Sequence, residues 1–140
     1  MYTKILSWWQ SKNIQTSADL AEVLNSNKIS FAYNSSKIEN AKVTYFTTQE
    51  IFEHDKVSSY TGDLRTLYEL HNARIAYDYF LDSFSEKHTL DETFLKNLQK
   101  RLTMNTYDAF IWHKGERPGT YKLGYYVTGK DEIGALPEDV

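Results

Sequence analysis

The chain has 140 residues and a formal net charge of −3, is 41% hydrophobic and 15% aromatic, and carries no cysteine. That is one domain's worth of core material, without disulfides or thiolate metal sites. Neither half is basic (seven Lys/Arg against eight Asp/Glu in residues 1–70, nine against eleven in 71–140), so nucleic acid is not the expected partner. No run of about 18 apolar residues occurs and the N-terminus lacks a signal-peptide pattern, so the expectation is a cytoplasmic protein with no membrane association.

In chain order, residues 2 to about 12 predict a helix with Ile5, Leu6, Trp8 and Trp9 on its apolar face. Thr16-Ser17 caps a second helix with Asp19 and Glu22 in its first turn and Leu20, Val23 and Leu24 facing the core. Asn25-Ser26-Asn27 predicts a break, after which a third helix runs from 28 to 39. This divides the chain into an N-terminal helical segment, 1–27, and a main unit, 28–140. Lys42 to Phe46 is β-branched and aromatic but short for a strand. Thr47-Thr48-Gln49-Glu50 reads as a capping box for a helix to about Asp55.

After a loop from Lys56 to Gly62, Asp63 opens the longest helix, about 63–84, apolar over more than one face and so packed from two sides. Thr89-Leu90-Asp91-Glu92 reads as another capping box, before Phe94, Leu95, Leu98 and Leu102. Arg117-Pro118-Gly119-Thr120 fits a type II turn. Tyr121, Leu123, Tyr125 and Val127 alternate with Lys122, Gly124, Tyr126 and Thr128 as a period-two strand, and Gly129-Lys130-Asp131 turns it back to 132–135. Leu136-Pro137-Glu138-Asp139-Val140 has the composition of a helix start. The fold class expected is mainly α with one β-hairpin, about 117–136.

Common catalytic patterns are absent. There is no Gly-x-Gly-x-x-Gly and no phosphate-cradling Gly-x-x-x-x-Gly-Lys-Ser/Thr. His54, His71, His88 and His113 are too far apart for a helical metal pair, and His71 is expected as a satisfied interior residue. One position stands out. In the helix 28–39, Phe31, Ser35, Ile38 and Glu39 share a face. A carboxylate on such an apolar seam needs a cation, a protonated partner or an edge open to water. Lys37 points off that face.

Ser35, Glu39 and Asn40 fit the pattern Ser/Thr-x-x-x-Glu-Gly/Asn, which resembles the inhibitory helix of Fic proteins, enzymes that move AMP from ATP to protein hydroxyls. The succession FAYNSSKIEN, TTQEIFEH, TGDLRTLYELHNARIAYDYFL, LDETFLKNLQKRL and GERPGTYKLGYYVTGKDEIGALPEDV resembles the N-terminal part of that family over about residues 28–140. The resemblance implies that Ser35, Glu39 and Asn40 form an inhibitory motif. It also implies that the hairpin carrying Tyr121, Leu123, Tyr125 and Val127 is a flap docking a target protein by strand addition.

The family signature His-x-Phe-x-Asp/Glu-Gly-Asn-Gly-Arg does not occur in these residues. The resemblance therefore places the catalytic base and phosphate nest downstream of Val140. No catalytic residue is assigned, and this chain alone is expected to be inactive. ATP and Mg are implied as cofactors of the intact protein, neither held tightly here. Two other readings compete: an antitoxin-like inhibitor acting on a separate Fic enzyme, and a helical scaffold with no site.

Overall fold

The computed structural model describes residues 2–123, the side chain of Ser26 excepted. These residues are mainly helical: α1 (Tyr2–Ser11), α2 (Ser17–Glu39), α3 (Tyr45–His54), α4 (Leu64–Ser85), α5 (Glu92–Thr103) and the short α6 (Ala109–His113). No strand occurs among them. α4 is the central element and packs against α2, α3 and α5, as its apolar residues on several faces predict.

α2 and α4 form the frame. At 23 and 22 residues both are about 33–35 Å long, and they run antiparallel because each end of one is tied to the opposite end of the other. The Ser17 amide donates to Ser85 Oγ at 2.9 Å. At the other end, Asn40 Nδ2 donates to Asp63 Oδ2 and Thr66 Oγ1, both at 2.7 Å. Between these ties Asn25-Ser26-Asn27 does not break the helix, contrary to the sequence expectation, and the 27/28 boundary falls inside α2. Asn and Ser are poor helix formers by only about half a kcal/mol each. Leu20 and the buried Ile29 and Ala32 on either side anchor the helix to its neighbours. No glycine or proline intervenes to stop it.

The helix starts follow capping chemistry. Thr16 and Asp19 form a reciprocal capping box at α2. Asp63 and Asp91 cap α4 and α5 by accepting from the Thr66 and Phe94 amides at 2.9 and 2.8 Å. The sequence expectation was displaced at two of these starts. α3 is capped by Thr44, so Tyr45 and Phe46 are helical and the capping box at Thr47 is one turn late. At α5 the cap is Asp91 rather than Thr89.

Val43, Ile51 and Leu70 form the innermost core, with Tyr33, Phe52 and Leu67 packed around it. The buried Asn72 of α4 donates to the Leu102 and Met104 carbonyls at 3.2 and 2.6 Å, fixing the end of α5. Past α5, Gly119 at φ +82° and the Thr120 amide donating to Arg117 O at 3.2 Å close the predicted turn. The helix α6, capped by Asp108, was not foreseen.

Candidate functional site

α2 brings Phe31, Ser35, Ile38 and Glu39 to one face, as the spacing predicts. That face is open. Phe31 is 73% and Ile38 87% exposed, and Ser35 and Glu39 are exposed as well. α3 and α4 take the other side of the helix, where Ile29 and Ala32 are buried and Tyr33 and Ser36 half-buried. Of the three resolutions for a carboxylate on this seam, the described residues provide the edge open to water. Neither Ser35 nor Glu39 makes a side-chain hydrogen bond or ion pair among them.

Asn40, the last residue of the motif, has a different role: it ends the helix and fixes it. Its amide donates to Ser36 O at 2.9 Å as the C-cap. Its side-chain oxygen accepts from the Lys42 amide at 2.9 Å, while its side-chain nitrogen spans to Asp63 and Thr66 on α4. The Asp63 carboxyl is held below its ordinary range, first by the Thr66 amide and hydroxyl, with a smaller contribution from Asn40.

Lys37 is not the bystander its position suggested. It turns back over the helix end, and its ammonium donates to the Ala41 carbonyl and, at 2.9 Å, to the Val43 carbonyl. Together Asn40 and Lys37 clamp the turn that presents Glu39. Nothing in the local sequence marks Asp63 and Thr66 as partners of Asn40, because they lie 23 and 26 residues from it.

Beside this face lies an open apolar groove of about 690 Å³. α2 and α5 form its walls without touching each other, and α4 forms its floor. Phe31, Ala32 and Ser35 line one wall and Leu98 and Leu102 the other. Tyr77, on the floor, has a buried hydroxyl without a hydrogen-bond partner among the described residues. Burial raises its pKa above the ordinary phenol value, helped by Asp78.

Comparison with protein-family models, curated proteins and solved structures finds no match.

For the hairpin, Tyr121 and Leu123 are described and belong to no strand, while Tyr125, Val127 and the rest of 124–136 lie outside the described residues. Tyr121 packs under the Lys96 ammonium at 4.1 Å. The Leu123 amide, which a ladder would pair with backbone, donates instead to the buried Glu116 at 2.7 Å. His71 is half-exposed on α4 rather than interior, paired with Asp55 at 3.0 Å. No cluster of metal-ligating side chains occurs among the described residues.

Proposed function

We propose that residues 28–140 are the inhibitory and target-docking portion of a Fic-type protein AMP transferase whose catalytic signature lies outside this chain. The observation that supports it is Glu39. An unpaired carboxylate stands at a helix end that Asn40 and Lys37 hold in place, on an open face beside Ser35. A carboxylate so presented is free to pair with a guanidinium supplied from elsewhere. In the Fic reading that guanidinium is the last arginine of the signature. The pair would be bidentate and charge-assisted, and it would compete with the γ-phosphate of ATP for the same cation. ATP would then bind in a pose unsuited to transfer of AMP to a protein hydroxyl. Ser35, one turn before Glu39, would orient it.

The test is self-modification with labelled ATP, in a polypeptide that carries both these residues and the signature. A charged hydrogen bond contributes about 1.5–3 kcal/mol and tenfold in rate corresponds to about 1.4 kcal/mol. Glu39→Gly is therefore expected to raise incorporation by roughly one to two orders of magnitude, and Ser35→Ala by less. Lys37→Ala cannot serve as the control, because it loosens the clamp. Asn34→Ala, exposed on the same helix, is expected to change nothing. Incorporation in Glu39→Gly no higher than in the parent overturns the reading. The 140-residue chain alone is expected to incorporate no label. Suppression of a separate Fic enzyme by the added chain would instead assign it the antitoxin-like role.

A further inference from the structure

A second uncovered surface lies at the other end of the molecule and is independent of the Glu39 reading. α1 packs against none of the other helices. Every residue of it is exposed, and Tyr2, Ile5, Leu6, Trp8 and Trp9 all fall on one arc. Thr3, Lys4, Ser7, Gln10 and Ser11 fill the opposite arc. The chain meets the body of the protein at the half-buried Ile14, beside Phe80 and Phe84, and at Ser17, whose amide is tied to Ser85. α1 is joined to it through Lys12–Thr16, with Asn13 in the left-handed region at φ 47°.

The charge on this helix is opposite to that of the rest. Lys4 is its one charged side chain, Lys12 follows directly after its last residue, and the first carboxylate in the chain is Asp19. With those two lysines set apart, the remaining chain has fourteen basic residues against nineteen acidic. Lys12 folds its ammonium to 4.7 Å from the Trp8 ring, at the border of the apolar arc, and Trp8 meets Trp9 edge to face at 4.9 Å. Paired indoles beside a cation suit a boundary that is apolar on one side and wet on the other.

We propose that α1 lies flat on an anionic lipid surface, with Ile5, Leu6, Trp8 and Trp9 in the acyl boundary and Lys4 and Lys12 at the headgroups. This departs from the composition-based expectation of no membrane association. It leaves intact the separate fact that no described helix is long and apolar enough to cross a membrane. The size of the helix favours lipid over a protein partner. α1 is a single ten-residue helix, short of the roughly 20–30 residues that a standard protein interface uses on each side. A lipid surface needs no shape complement and rewards two lysines without acidic neighbours.

The test is co-sedimentation of the full 140-residue chain with vesicles of phosphatidylcholine alone and with 30% phosphatidylglycerol, with tryptophan emission followed in parallel. Binding and a blue shift are expected only with the anionic vesicles, and both should fall in 0.5 M salt. Lys4→Gln/Lys12→Gln should weaken partitioning roughly thirtyfold, at about fivefold per lysine. Trp8→Ser/Trp9→Ser should abolish the shift. Because α1 touches no other helix, both double variants should unfold at the parental urea midpoint, which separates lost binding from lost fold. No binding to anionic vesicles, or parental binding by the lysine variant, overturns the proposal. So does a dimer in solution that the tryptophan variant dissociates without any vesicle binding.

Discussion

The two sides of α2 teach opposite lessons about the same helix. Toward α3 and α4, Ile29 and Ala32 are buried and Tyr33 reaches the cluster of Val43, Ile51 and Leu70. On the open side, Phe31 and Ile38 are as apolar as anything in that cluster yet stand in solvent. Apolar pattern therefore marks both sides, and only packing separates the one that stabilises this fold from the one that is open to a partner. The largest difference is expected between truncating a side chain of that cluster, on α4, and one on the open side of α2. Leu70→Ala, at a fully buried position, should cost about 2–5 kcal/mol in urea unfolding, whereas Phe31→Ala should stay within about 0.5 kcal/mol. A loss above about 1 kcal/mol for Phe31→Ala would break the comparison, since it would mean that the open side is covered in solution.

A second contrast is between the clamped end of α2 and its exposed face. Asn40→Ala removes the donor to Asp63 and Thr66 and the acceptor for the Lys42 amide together. A loss of about 1–3 kcal/mol is expected, with faster amide exchange at Asn40 and Val43, whose N–H groups close the last turn. Unchanged exchange there would show that the clamp does not hold the helix end.

Much of this was legible because it is local. The N-cap at Thr16 with Asp19 in the first turn, Asp63 as the start of α4, and the Pro118–Gly119 turn each depend on residues within four positions of one another. The shared face of Phe31, Ser35, Ile38 and Glu39 follows from helical period alone. What escaped depends on contacts that leave the helix itself. Asn25–Asn27 stays helical because α4 holds both ends of α2, and Lys37 matters through carbonyls beyond the helix end. The exposure of Glu39 could not be read from the apolar spacing, which is the same whether or not a neighbour covers it.

Acid titration sharpens the contrast at the clamp. The folded pKa of Asp63 lies below its ordinary 3.8, so below that value the unfolded chain binds more protons than the folded one. Its stabilising contribution is complete above the ordinary value and is lost as the pH falls through the folded pKa. Asp19, Glu50 and Glu92 are lowered too and act with the same sign. Asp63→Asn keeps a good N-cap and removes one titrating group. The drop in urea midpoint between pH 6 and pH 3 should therefore be smaller in the variant than in the parent. An equal drop would show that Asp63 carries none of the acid sensitivity.

The smallest effect is expected at the residue given the largest functional role. Glu39 is exposed and has no partner among the described residues. Glu39→Gln keeps the shape and helix propensity and removes only the charge. A carboxylate in water loses nothing by that exchange, so the free energy of urea unfolding should change by less than about 0.5 kcal/mol. The negative charge also lies in the last turn of α2, where the helix dipole disfavours it. Any small shift should thus be stabilising and should shrink in 0.5 M salt. A destabilisation above about 1 kcal/mol would reveal a partner for Glu39 within this chain. The carboxylate would then already be committed, and the case for its pairing with an outside arginine would fall with it.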